Sequence, residues 1–180
     1  NEVAGLMRAA MLCLSVLAAA AAAGDLCPPV QVGAGIAAPE AARIAVDSAS
    51  NAFLVFQGRD DPAEAVHVYC GISLDGFAAL QRISVEGCDC RNPSIGIGPL
   101  GAIHLVFEAR SAGGGVLYYI TNKGGPFQAP QRLTSTSGVA ESSGSIWVDA
   151  SGGIRVVWEE FDGAASRVMY AIRGEPAAVL

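Results

Sequence analysis

Residues 44–56 read "IAVDSASNAFLVF", and nearly the same phrase returns as "IGIGPLGAIHLVF" (95–107) and "IWVDASGGIRVVW" (146–158). The copies start 51 residues apart. A period of this length marks a chain built from stacked units, none of which buries its apolar side alone. The agreement extends further along the chain. "VHVYCGISLDGFAALQRIS" (66–84) aligns without gaps on "VLYYITNKGGPFQAPQRLT" (116–134), and "RVMYAI" (167–172) sets Tyr170 against Tyr119 and Tyr69. Everything after residue 26 is about three copies of one unit.

Within the unit the periodicity is that of strands. Residues 44–46 are short and β-branched, a Ser/Asn/Gly turn follows, and residues 52–56 form a second run with strand propensity, so the pair reads as a hairpin. Asp47 and Asp149 close the first run, where a carboxylate accepts from turn amides, and Gly101 and Gly152 follow where positive φ is needed. A third strand is expected over 66–72 and a fourth over 77–83. No segment after residue 26 sustains the helical i, i+3, i+4, i+7 pattern. Four short antiparallel strands per repeat predict an all-β fold of propeller blades. The expected organisation is a segment 25–43 with a candidate closing strand "PVQV" at 29–32, then blades at 44–94, 95–145 and 146–180.

The link between strands three and four carries a family resemblance. "SLDGF" (73–77) and "TNKGGPF" (121–127) resemble the Asp-box, or bacterial neuraminidase repeat, of sialidase-like propellers. Ser73, Asp75, Gly76 and Phe77 match with compressed spacing. Thr121, Gly125 and Phe127 match in the second copy, where Lys123 replaces the Asp, and "IRGEP" (172–176) has lost the motif. The resemblance covers nearly all of residues 30–175 and implies the blade, because in that family the Asp-box is a folding turn away from the active site. For an active sialidase it further implies three arginines that clamp a carboxylate, a Tyr nucleophile paired with a Glu, and an Asp acid/base. Arg59, Arg91 and Arg110 are available, but no Arg-Ile-Pro motif occurs, and Tyr69, Tyr118, Tyr119 and Tyr170 all fall in third strands where packing is the expected role. The expectation is therefore a non-catalytic glycan- or protein-binding or scaffold module. The alternative is a piece of an exo-sialidase or related glycoside hydrolase without its catalytic blades.

Strand order decides which loops share a face. The fourth-to-first connections and second-to-third loops gather on one side, and the hairpin turns and Asp-box turns on the other. The first side receives Gln57, Arg59, Asp60, Asp61, Glu108, Arg110, Glu159 and Glu160, together with the connector 88–91. The candidate ligand-binding residues are Arg59, Asp60, Arg91, Glu108, Arg110, Trp147 and Glu159, and no residue is assigned a catalytic role. Gln57, Glu108 and Glu159 occupy equivalent positions and would form a ring. Glu159 and Glu160, as strand neighbours, point to opposite faces and do not converge on one bond. Trp158 matches Phe56 and Phe107 as a repeated core wedge, whereas Trp147 is the one bulky residue at the position of Ala45 and Gly96. His104, mid-strand at the position of Phe53 and Arg155, is expected to be half-exposed, and His67 also lies on a strand. "SAGGGV" (111–116) joins two strands and opens no helix, so no phosphate loop and no cofactor are expected.

The start of the chain reads as a secretory signal peptide over residues 1–24: Arg8, the apolar stretch "AAMLCLSVLAAAAAA" (9–23), and an A-x-A end. Fifteen helical residues span about 22 Å, short of a roughly 30 Å bilayer core, so no stable membrane span is expected after cleavage. The expected address is secreted or periplasmic, in a bacterial cell envelope. Without Arg8 and Glu2 the charge remains −6, from 10 basic and 16 acidic residues (11 and 17, less one of each), and Lys123 is the one lysine. That balance argues against nucleic acid as a partner and leaves a glycan or an extracellular protein. Cys27, Cys70, Cys88 and Cys90 form an even count in an exported chain and are candidates for two disulfides. "CDC" without a second pair or a nearby His does not build a metal site. Three blades fall short of the four to eight that close a propeller. Either the chain is part of a longer propeller, which the missing Met and the abrupt "AAVL" favour, or a homodimer completes six blades.

Overall fold

The computed structural model describes residues 29–134, 138–172 and 178–179. The chain divides into two compact units, residues 1–32 and 33–180. Of the first, residues 29–32 are described and carry no strand, so the candidate closing strand is not formed there. The segment read as a signal peptide, residues 1–24, and Cys27 lie outside the described residues.

Among the described residues, the second unit shows twelve strands in three antiparallel sheets, each laid out in chain order. The first blade comprises β1 (Ala37–Val46), β2 (Ala52–Arg59), β3 (His67–Ile72) and β4 (Gln81–Ile83). The second comprises β5 (Asp89–Ile97), β6 (Ile103–Ser111), β7 (Gly114–Thr121) and β8 (Gln131–Arg132). The third comprises β9 (Ala140–Val148), β10 (Ile154–Phe161), β11 (Ser166–Ile172) and β12 (Ala178–Val179). The all-β, three-blade expectation holds, and β12 supplies the fourth strand of the third blade by pairing with β11. Among the described residues, no helix is long and apolar enough to cross a membrane.

Two cores lie between the sheets. The first joins Phe53, Val55 and Val68 of blade one to Leu105, Phe107 and Ile120 of blade two. The second joins Val106, Leu117 and Tyr119 of blade two to Ile146, Val156 and Trp158 of blade three. Blade two is thus covered on both faces, and β6 is buried over seven consecutive residues. Phe56, Phe107 and Trp158 are all buried, as their repeat positions predict.

The register corrects one alignment. Cys70, Tyr119 and Tyr170 pair with Val55, Val106 and Val157, whereas Tyr69 and Tyr118 pair with Phe56 and Phe107. The structural equivalent of Tyr69 is therefore Tyr118, and the Phe56–Tyr69 and Phe107–Tyr118 rings stack at 5.5 and 6.1 Å. Blade one joins β2 to β3 by a loop and blade two joins β6 to β7 by a tight turn, so the gapless alignment slips by one residue. A slip of one sends the side chain to the other face.

The turns behave as the sequence predicts. Asp47 Oδ1 accepts from the amides of Ala49 and Asn51 at 2.9 and 2.8 Å, and Asp149 Oδ1 accepts from those of Ser151 and Gly153 at 2.9 and 2.7 Å. At the Asp-box position Ser73 Oγ accepts the Ala52 amide at 2.9 Å, and in the next blade Asn122 Oδ1 accepts that of Ile103 at 2.6 Å. Both side chains tie the end of a third strand to the start of a second.

Cys70, Cys88 and Cys90 are free thiols, so the disulfides expected among them are not formed in this structure. Cys70 and Cys90 are buried in the first core, which pushes their thiols up to about 12 and about 11.

Candidate functional site

Each innermost strand bulges at the same point. Ala41, Asn92 and Ser143, spaced by 51 residues, have φ of 51°, 50° and 56°. The β1–β2, β5–β6 and β9–β10 registers shift beside them. A bulge leaves one residue out of the ladder and re-aims its neighbours. A recess of about 270 Å³ opens at the bulges, lined by Arg43, Asn92, Ser94, Ser143 and Ser145 with Pro93 and Gly144. Arg43, Ser94 and Ser145 are again 51 residues apart, so the three blades contribute equivalent positions. The lining offers hydroxyls, one carboxamide and one guanidinium. Ser94 Oγ accepts the Ile146 amide at 3.1 Å, and Arg43 leans on the Ala42 carbonyl at 2.9 Å.

Behind the recess a polar chain crosses from blade one to blade two. Gln57 donates to Glu40 at 3.2 Å, and its Oε1 accepts the Asn92 amide at 2.7 Å. The Asn92 carboxamide donates to Glu108 at 2.9 Å, and Arg110 donates to both Glu108 oxygens at 2.5 and 3.1 Å. The Glu108 carboxylate raises the Arg110 pKa further. Gln57 and Glu108 are buried while Glu159 is exposed, so the three equivalent positions do not form a ring of like environment.

The other sequence candidates are distributed around this chain of contacts. Asp60 accepts from the Tyr69 hydroxyl at 2.7 Å and from Arg82 at 2.6 Å, which holds its carboxyl below the ordinary range. The same contact, added to burial, pushes the Tyr69 phenol well up. Arg91 binds Asp89 at 2.9 Å, and the other Asp89 oxygen takes the Val66 amide at 2.9 Å. Arg59 donates to the Glu64 carbonyl. Trp147 is exposed on the outer face of blade three, with the Arg155 guanidinium 5.1 Å from its ring centre. His104 corrects the sequence reading: it is buried and its Nδ1 meets the Tyr119 hydroxyl at 2.7 Å, because blade three closes over this position.

Asp60, Glu64 and His67 bring ligand atoms within 4.8 Å of one another, but both Asp60 oxygens are already taken by Tyr69 and Arg82. Of the three, Asp60 is ion-paired, to Arg82. The carboxylates of Asp60, Asp89 and Glu108 all have both oxygens engaged within the chain.

None of the recess residues was among the sequence-based candidates, which came from the second-to-third loops, the connector 88–91 and Trp147. Their signal was present as the 51-residue spacing of 43, 94 and 145, but those positions read as the lead-in to a strand rather than as its bulge.

No family model matches the chain, and no curated protein matches it in sequence. Solved structures do. The Hadza microbial sialidase Hz136 aligns with a TM-score of 0.58 and 9% identity over 83% of this chain and 38% of its own. A fucose lectin from Kordia zhangzhouensis, in complex with methyl-fucoside, aligns at 0.53 and 12% identity over 77% of this chain and 96% of its own. An endo-1,4-beta-xylanase from Bacteroides thetaiotaomicron aligns at 0.52 and 12% identity over 87% and 62%. The fold is that of a β-propeller. This propeller spans well under half of the sialidase and nearly all of the lectin.

Proposed function

We propose that the chain is an exported, sialidase-like propeller module of a bacterial cell envelope that binds glycan without turning it over. Its ligand sits in the recess formed by Arg43, Asn92, Ser94, Ser143 and Ser145. The observation that carries the non-catalytic reading is the commitment of Asp60, Asp89 and Glu108, whose oxygens are all occupied by Tyr69, Arg82, Val66, Arg91, Asn92 and Arg110. Glycosidases that work by a carboxyl pair need both groups to face one bond, and a sialidase with a Tyr nucleophile still needs an Asp acid/base, roles that these three engaged carboxylates do not fill. The recess lining supports glycan as the ligand, since hydroxyls, a carboxamide and a guanidinium match the donors and acceptors of a sugar ring. Likeness to a lectin and to two enzymes named for glycan substrates points the same way. The apolar stretch 9–23 after Arg8 supports export.

A glycan array probed with the purified chain tests this reading, followed by titration of the best hit. Arg43→Ala should weaken binding about tenfold, the worth of one hydrogen bond to a charged group. Lys123→Ala, on the opposite side of the blades, should leave it unchanged. Turnover of a fluorogenic sialoside would replace this reading with that of part of an exo-sialidase. Silence on every glycan, with capture of an extracellular protein, would make the module a protein-binding scaffold.

A further inference from the structure

Asn92 is exposed at the recess, yet its backbone amide and its carboxamide are both tied to buried partners. The amide donates to Gln57 Oε1 at 2.7 Å, and Nδ2 donates to Glu108 Oε2 at 2.9 Å. Gln57 is 5% exposed and Glu108 2%. Each is held in turn, Glu108 by Arg110 and Gln57 by Glu40. The equivalent bulge residues, Ala41 and Ser143, carry no carboxamide, and Glu159 at the position of Glu108 is exposed. The arrangement belongs to the seam between blades one and two. The end of the carboxamide that faces the recess follows from its partner. A carboxylate accepts and does not donate, so the group against Glu108 is the Asn92 NH2 and not its oxygen. Turned over, the carboxamide would set two acceptors against each other beside a buried charge. Oδ1 is therefore the atom left for a ligand, and a carboxamide oxygen only accepts. The hydroxyls of Ser94, Ser143 and Ser145 rotate to suit a ligand, and Arg43 only donates. Among the described lining side chains, Asn92 supplies the one fixed acceptor.

We propose that Asn92 sets the specificity of the recess: its Oδ1 requires an unsubstituted hydroxyl on the bound sugar, and Glu108 is the positioning residue that keeps it an acceptor. This rests on the reading of the recess as a glycan site. A free hydroxyl donates to Oδ1. A fluorine or an ether at the same carbon has no proton to give, and a sulfate ester sets a negative charge before an acceptor that has a carboxylate behind it. The ligand class is a glycan with that hydroxyl free, neither etherified nor sulfated. A fixed acceptor discriminates because the unmatched ligand leaves it unpaired, whereas the serine hydroxyls rotate to accommodate either partner.

The test titrates the full chain with the methyl glycosides of glucose, galactose, mannose and fucose, and with the monodeoxyfluoro derivatives of whichever binds best. Fluorine nearly matches a hydroxyl in size but donates nothing. At one ring position the fluoro derivative should bind about tenfold more weakly than its parent, the worth of one hydrogen bond. Glu108→Gln gives Asn92 a partner that can donate, so the carboxamide can turn and offer Nδ2. In that variant the hydroxyl and fluoro ligands should bind alike, while the parent glycoside is still bound. Asn92→Gly, which suits φ of 50°, should also abolish the preference and should weaken the parent glycoside about tenfold. Circular dichroism checks that each variant is folded, and Asn92→Gly decides alone if Glu108→Gln is not. Fluoro derivatives that all match their parent, or a preference that survives in the folded variants, overturn the proposal and leave the glycan reading standing. A panel of which no member binds overturns it as well, and the glycan reading then stands or falls by the array.

Discussion

Gln57 and Asn92 join two blades through one backbone amide. The Asn92 N–H, turned out of its ladder by the bulge in β5, donates to Gln57 Oε1 at 2.7 Å. Gln57→Leu leaves that buried donor without a partner, and urea unfolding should show a loss of about 1–3 kcal/mol. Asn92 itself adopts φ of 50°, where Asn and Gly are tolerated better than other residues. Asn92→Gly should therefore cost less than Asn92→Val.

Trp158 is the wedge of the second core, 1% exposed, with its indole N–H toward Glu160. Trp158→Ala should cost about 3–5 kcal/mol in chemical denaturation, the range for deleting a large buried ring. Leu74→Ala, on an exposed turn, should change stability by less than about 0.5 kcal/mol.

Gly115 of blade two lies against the Glu141 backbone of blade three. A Cβ there would lie 2.5 Å from Glu108 Oε1 and 2.6 Å from the Glu141 carbonyl oxygen. The backbone cannot retreat without disturbing both. Gly115→Ala should lower stability by about 1–3 kcal/mol, as overpacking does, although alanine favours strands no less than glycine.

Acid should weaken the fold through the carboxylates that it holds ionised. The Val66 amide first and Arg91 second keep the Asp89 pKa below its ordinary 3.8, and the amides of Ala165 and Ala164 with Arg167 pull Asp162 down to about 2. A depressed folded pKa gives stability that is complete above the unfolded value and lost as pH falls toward the folded one. The urea midpoint should hold from neutrality to about pH 4 and then fall. Asp89→Asn should be less stable than the parent at neutral pH, and the gap should narrow below pH 4.

Burial also sorts the thiols. Cys70 and Cys90, pushed up to about 12 and about 11, remain protonated near neutrality, and Cys88 is half-exposed. Brief alkylation of the native chain near pH 8, read by peptide mass spectrometry, should label Cys88 well before Cys70 and Cys90. Equal labelling of the three would show that the first core opens readily.

The 51-residue spacing of Ile44, Ile95 and Ile146 determined the strands, their number per blade and the burial of Phe56, Phe107 and Trp158, because a repeat must pack on its neighbour through the same positions each time. The turn chemistry of Asp47 and Asp149 was equally legible, since it is satisfied within a few residues. Tertiary structure decided the rest. It set Tyr69 opposite Phe56 rather than level with Tyr119, because a loop of different length shifts register without altering composition. It buried His104 under the next blade, and it gathered Arg43, Ser94 and Ser145 from three strands into one recess. Those residues meet only when bulges align across blades, which is a property of the stacked sheets and of no single stretch of sequence.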